Sequence, residues 1–146
     1  MDFLSSLNIS GSGLTAQKLR MDVISQNIAN AEVTRTEAGT PYRRKMVVLS
    51  SINGGSNFRD ALDKATKVKT GGGVQVQSIV EDQSPLVPVY NPNHPDANEE
   101  GYVMLPNVNT AQEMIDMLGA SRAYEANVTA FNATKAMALK ALEIGR

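Results

Sequence analysis

NTAQEMIDMLGASRAYEANVTAFNATKAMALKALEI, residues 109–144, decides the fold. It reads as one alanine-rich helix. Pro106 ends the run before it, Thr110 with Glu113 matches a capping box with Asn109 as the alternative cap, and Gly145 marks its end. At 1.5 Å of rise per residue such a helix is a cylinder of about 50 Å, more than the diameter expected of so small a domain. It must project or be shared laterally. Met114, Leu118, Tyr124, Val128, Phe131, Leu139 and Leu142 supply bulk along it, while Ala123, Ala126, Ala130 and Ala133 form a small-residue stripe that admits another helix at close range. One helix thus offers more than one packing surface.

The opposite end of the chain has the same character. Leu7, Leu14, Met21 and Ile28 recur at strict sevens, and Phe3, Leu4, Leu19, Val23, Ile24 and Ala31 complete a helical pattern. Gly11 and Gly13 interrupt it, each costing about 1 kcal/mol against alanine in a helix interior. The expected helix therefore runs from about Ser12 to Asn30, with a short or frayed piece before it. Between the two ends the period changes. Val74, Val76 and Val80 interleave with Gln75 and Gln77, and Tyr42 to Leu49, Leu86 to Tyr90 and Gly101 to Leu105 are further strand candidates, Pro88 demoting the third to an edge. Residues 50–73, with Asn53-Gly54-Gly55 and scattered lysines, read as a mobile loop with one short helix at Asp60–Lys67. The fold class is α+β: helical parts at 1–32 and 107–146 flank a small β-rich body at 33–106.

That body is too small to be strongly stable alone, because three Phe, four Tyr and no Trp supply few large anchors. Association must contribute. Fourteen basic and fifteen acidic residues leave a net charge of −1, which gives no electrostatic case for nucleic acid or an anionic membrane. The local basic runs, Arg43-Arg44-Lys45 and Lys64 through Lys69, read as a solvated strand or loop face, with a polyanion site as the lesser reading. With no cysteine there is no disulfide framework, thiolate nucleophile or zinc–thiolate site. The opening residues carry no basic region and no unbroken apolar stretch, so neither a cleaved signal peptide nor a membrane span is expected.

Catalytic signals are weak. The single histidine, His94, lies between Pro92 and Pro95 with no nucleophile elbow or acid partner, so turn formation explains it better than a hydrolytic triad. Asp96, Asn98, Glu100 and Gly101 open like a calcium loop, but Asn107 stands where the bidentate Glu belongs and a strand pattern follows. A polar turn is the expectation there. Gly71-Gly72-Gly73 runs into the strand pattern without a following helix or lysine, and reads as a hinge or turn rather than a phosphate cradle. No catalytic residue, cofactor or metal is expected. Asn27, Asn30, Asn127 and Asn132 are more informative: amides beside apolar helix seams fix register when paired, the alternatives being exposure or, for Asn30, a helix C-cap.

Ser25-Gln26-Asn27-Ile28-Ala29-Asn30-Ala31, following Leu14 to Val23, resembles the N-terminal signature of bacterial flagellar rod and hook axial proteins. Pro41-Tyr42-Arg43-Arg44-Lys45, the stretch from Val89-Tyr90-Asn91-Pro92 through Gly101-Tyr102-Val103 to Pro106-Asn107-Val108, and Ser121-Arg122-Ala123-Tyr124-Glu125-Ala126-Asn127 extend the likeness to the proximal-rod members of that family. It covers nearly the whole chain and is weakest over Ser50 to Gly73. The resemblance implies a structural, non-enzymatic subunit of the basal body, its two terminal helices packed as an antiparallel, coiled-coil-like inner domain and its β-rich middle displayed outside. It further implies export through the flagellar type III apparatus, termini that are disordered before assembly, and a place in the periplasmic rod. The implied partners are copies of itself, other rod subunits and, at the widest, the surrounding ring proteins. The assembly interface expected on this reading comprises Leu7, Leu14, Met21, Ile24, Asn27, Ile28, Asn30, Met114, Leu118, Tyr124, Asn127, Val128, Phe131, Leu139 and Leu142. The rival readings are a free periplasmic coiled-coil adaptor and, more remotely, an enzyme acting on peptidoglycan, for which no acid pair in a recognisable site is seen.

Overall fold

A computed structural model describes residues 3–52 and 72–144. Helix α1 spans Phe3–Ala29, strands β1 to β4 span Lys45–Ser51, Val74–Glu81, Val87–Tyr90 and Tyr102–Leu105, and helix α2 spans Thr110–Ile144. β1 pairs with β2, and β3 with β4, as two separate two-stranded sheets. The α+β class is as expected. The loop expected at 50–73 and the helix at Asp60–Lys67 fall almost wholly outside the described residues, as does the Lys64–Lys69 run.

Two boundaries differ from expectation. α1 does not fray before Ser12 but runs unbroken through Gly11 and Gly13. What favours continuity is packing: Gly13 lies close against Asn127 of α2, where a larger residue would crowd. A propensity penalty of about 1 kcal/mol per glycine is small beside such packing. At the head of α2 it is Asn109, not Thr110, that caps. Its Oδ1 accepts from the Ala111 and Gln112 amides at 3.1 and 3.3 Å, and its carbonyl receives the Glu113 amide at 2.9 Å. Glu113 is thereby released from a capping box and turns inward.

The chain divides into two compact units. The first comprises Met1–Lys18, Leu49–Gln77 and Ser121–Arg146. Here Ala16 is buried, and a Cβ built on Gly13 would lie 3.1 Å from Asn127 Oδ1, so the two helix backbones meet at a distance that a larger residue resists. Ser12 Oγ also accepts the Val74 amide at 3.0 Å, and the Ile52 amide bonds the Gly73 carbonyl at 2.7 Å. Side chains at Gly72 and Gly73 would run into the Ile52 carbonyl and Ser12 Oγ, so these glycines serve close packing rather than a free hinge.

The second unit comprises Leu19–Val48 and Ser78–Ala120. Val23, Ile24, Tyr42, Val103 and Ala120 form its apolar core, and Asn27 and Glu113 are buried among them. β3 and β4 pair antiparallel from Val87↔Leu105 to Tyr90↔Tyr102. Opposed residues share a face, so Val103 turns inward while Pro88, Tyr90, Tyr102 and Met104 lie on the other side. The Tyr90 and Tyr102 rings meet edge to face at 5.4 Å. Gly101 holds φ +82°, and a Cβ there would lie 2.9 Å from the Tyr90 ring, which demands glycine on both counts. The expected polar turn at 96–101 is present: Asn98 Oδ1 accepts the Glu100 and Tyr102 amides, His94 Nδ1 accepts the Asp96 amide, and the Asp96 carboxylate accepts the Thr34 hydroxyl.

Candidate assembly surface and its polar anchor

In the first unit Gly13 on α1 lies against Asn127 on α2; in the second, Asn27 on α1 bonds Glu113 on α2. Along α2 the residues at alternating intervals of four and three, namely 113, 117, 120, 124, 127, 131, 134 and 138, are all buried or half-buried. That seam leaves several large apolar side chains off it. Met114, Ile115, Leu118, Met137, Leu139 and Leu142 are between 53 and 72% exposed.

The fifteen residues expected at an interface therefore separate into three groups. Met114, Leu118, Leu139 and Leu142 are exposed in the single chain. Leu7, Leu14, Met21, Ile28, Asn30, Tyr124, Asn127, Val128 and Phe131 are half-buried. Ile24 and Asn27 are buried inside the single chain. For Asn27 the cause is a demand for hydrogen bonds that the chain itself meets. Asn27 Nδ2 donates to the Lys45 carbonyl at 2.8 Å and to Glu113 Oε2 at 2.9 Å; its Oδ1 accepts the Lys45 amide and the Tyr42 hydroxyl, both at 2.9 Å. All four capacities of the amide are used. Asn30 and Asn127 instead donate back to the Gln26 and Ala123 carbonyls of their own helices.

Glu113 has a second partner, Arg44, whose Nε donates to Oε1 at 2.6 Å, while its Nη2 reaches Asp116 at 3.4 Å. Asn107 braces the same place by accepting the Arg44 amide and donating to the Asp82 and Ser84 carbonyls. The expected solvated face at Arg43-Arg44-Lys45 is thus corrected: Arg43 points to the Asp82 and Ser84 carbonyls, Arg44 enters the ion pair, and Lys45 Nζ stands 5.7 Å above the Tyr42 ring. Burial, then the negative charges of Glu113 and Glu81, push the Tyr42 hydroxyl above the usual tyrosine range. Asp82 is held below the usual carboxylate range, chiefly by hydrogen bonds from the Ser84 hydroxyl and amide, with Arg44 and Arg43 assisting.

Sequence reasoning missed Tyr42, Arg44, Asn107 and Glu113 as one cluster. Its one signal was an acid one turn from a cap on an otherwise apolar helix face. It also missed the outer face of β3 and β4, where Tyr90, Tyr102 and Met104 are 65, 40 and 43% exposed. Among the described residues no group of acids and histidine is arranged to hold a metal, and no helix is long and apolar enough to cross a membrane.

Comparison with known proteins gives consistent matches. Residues 7–35 match the flagella basal body rod protein family, and residues 99–144 match the C-terminal region of the flagellar basal body rod FlgEFG proteins. The chain is 50% identical to the flagellar basal-body rod protein FlgC of Bacillus subtilis, with all of both chains covered. It is 48% identical to that of Borreliella burgdorferi, covering 99% of this chain and 98% of the relative. Against the Salmonella typhimurium protein it is 40% identical, again with full coverage.

Proposed function

Because the chain belongs to the FlgC family of flagellar basal-body rod proteins, we propose that it is a structural subunit of the proximal rod, joining copies of itself and other rod proteins in a helical shaft that carries torque. The observation that carries the reading is the set of large apolar side chains that α2 leaves exposed. Met114, Ile115, Leu118, Met137, Leu139 and Leu142 stand off the seam with more than half of each side chain in water. At about 25 cal/mol per Å² of apolar surface removed from water, a row of such side chains is a substantial driving force for lateral association. The alanine stripe is also presented outward at Ala126, Ala130 and Ala133, where small side chains let a neighbouring helix come close.

In this mechanism the half-buried residues of α1 and the α2 seam form the inner, helical part of the subunit, and neighbours cover the outer face of α2. The β-rich middle makes or spaces contacts outside the helices, and ring proteins are its outermost partners. Delivery is by the flagellar type III apparatus to the periplasm, and ordering of the helix ends is completed on docking, which confines assembly to the growing tip.

The test is to replace Leu118 and Leu139 singly by Asp in the source cell. Each side chain is exposed in the single chain, so the purified variants should unfold within about 0.5 kcal/mol of the natural chain while rods and motility are lost. Normal rods built from either variant would refute the helical interface. Stoichiometric recovery of the chain in basal bodies below the hook supports the placement, and a soluble pool without basal-body material points to the adaptor.

A further inference from the structure

We propose that Ser12 and Gly73 form a clasp that makes the first half of α1 and the open end of the β1–β2 pair one cooperative piece, so that neither loosens without the other. The clasp is polar at its centre. Ser12 Oγ donates its one proton to the Ile9 carbonyl of its own helix at 2.7 Å, which leaves its lone pairs to accept the Val74 amide, the first of β2, at 3.0 Å. The backbone is pressed close around that bond. A Cβ on Gly73 would run into Ser12 Oγ and lie 3.0 Å from Ser12 Cβ and 3.3 Å from Ile52 Cδ1, while the Gly73 carbonyl accepts the Ile52 amide at 2.7 Å. Gly73 thus meets the helix on one side and the residue after β1 on the other.

The bond matters because apolar burial holds this part of α1 loosely. From Leu4 to Thr15 no side chain is fully buried, and the first that is belongs to Ala16. A segment that removes so little surface from water opens readily unless a directional contact ties it to something else. Ser12 supplies that contact, and Gly72 and Gly73 permit it, since side chains there would strike the Ile52 carbonyl and Ser12 and force the strand end off the helix. When the turn around Ser12 unwinds, the Val74 amide loses its acceptor; when the strand end peels back, the turn loses the same bond. Free energy put into either side is therefore felt on the other. Gly11 stands beside the clasp but outside it: a Cβ there meets nothing within 4 Å, so the helix side can be stabilised without touching the strands. Ser12 and Gly73 are positioning residues, acting on how two elements order together rather than on a bound molecule.

The experiment follows amide hydrogen exchange in the purified full chain by nuclear magnetic resonance, with helix content checked by circular dichroism. Gly11→Ala favours the helix and contacts no strand residue. It should slow exchange of the amides at 12–15 about fivefold, and slow those of Ile52 and Val74 by about threefold or more. In the Ser12→Ala background, replacing Gly11 should still slow the helix amides, while Ile52 and Val74 should no longer respond. From the other side, Gly73→Ala should speed exchange at 12–15 by about threefold or more, although it lies in a distant part of the chain. The proposal is overturned if Gly11→Ala slows α1 alone, or if it slows Ile52 and Val74 just as much in the Ser12→Ala background, because the coupling would then not pass through Ser12. Unchanged α1 exchange in a Gly73→Ala chain of native helix content overturns it as well. If Gly73→Ala loses its helices, Gly11→Ala with and without Ser12→Ala still decides. No assembly step enters the measurement, so its outcome is independent of the rod reading.

Discussion

Replacing Arg44 by Met should cost more than any surface substitution in this chain. Glu113 is 1% exposed and receives its shortest hydrogen bond, 2.6 Å, from Arg44 Nε; only the Asn27 amide remains to serve the other oxygen. Removing one partner of a buried ion pair typically costs about 3–5 kcal/mol because the remaining charge is left without compensation. The Arg44 side chain is 23% exposed, so water enters where it leaves, and the lower end, about 3 kcal/mol, is expected. Against a total stability of about 5–15 kcal/mol this is a large fraction. Urea unfolding followed by circular dichroism measures it: at slopes of about 1–3 kcal/mol per molar, the midpoint should fall by roughly 1–3 M. The companion Arg44→Met/Glu113→Leu removes the stranded charge and should recover at least half of the loss. An Arg44→Met midpoint within error of the natural chain, or a double variant no better than the single, would refute the view that Glu113 depends on Arg44 for its burial.

Three further outcomes are expected. Gly11→Ala meets nothing within 4 Å and should stabilise α1 by about 1 kcal/mol, whereas Gly13→Ala must displace Asn127 and should gain less, compared by thermal unfolding of the two variants. Tyr42 has its folded-state pKa raised, so its contribution to stability is fully present below the ordinary tyrosine pKa of about 10 and is lost as pH rises through the higher folded value. In an alkaline absorbance titration compared with the natural chain, Tyr42→Phe should remove an ionisation lying above the ordinary tyrosine range. Asp82 has its folded-state pKa lowered, so its contribution is present above the ordinary carboxylate pKa and is lost as pH falls through the lower folded value; Ser84→Ala should bring that acid loss to higher pH in unfolding curves taken across the acid range.

The long periodic segments were legible in the sequence because a helix's pattern is set by its own residues. α2 begins within one residue of the expected start, and each of the four strands overlaps its expected stretch, β1 starting at Lys45 rather than Tyr42. What could not be read was decided by distant partners. Gly11 and Gly13 break a helix on propensity, yet α1 continues through them, with Gly13 packed close against Asn127. Glu113 fits a capping box by spacing, but Arg44 and Asn27, 69 and 86 residues away, draw it inward. Arg43-Arg44-Lys45 looks like a solvated charge run until the Asp82 and Ser84 carbonyls, Glu113 and the Tyr42 ring are placed around it. Of the expected interface, the exposed members on α2 were recognisable as apolar residues in excess of one seam. Asn27 was legible as an amide in need of company, but spacing does not show that its company within the chain is Tyr42, Lys45 and Glu113.

The bond between Asn27 and Glu113 spans 86 residues of a 146-residue chain, and this has a consequence in time. Local helical turns form on the submicrosecond scale, but a contact of such sequence separation must wait for the intervening chain to close on itself. A chain threaded end-first through a narrow passage cannot complete it until both partners have emerged, whichever end leads. Helix-forming segments will therefore be present early as fluctuating pieces, while the alignment between them is settled late. Substitutions at Asn27 and Glu113 should accordingly act mainly on the rate of unfolding, leaving the first steps of folding nearly untouched.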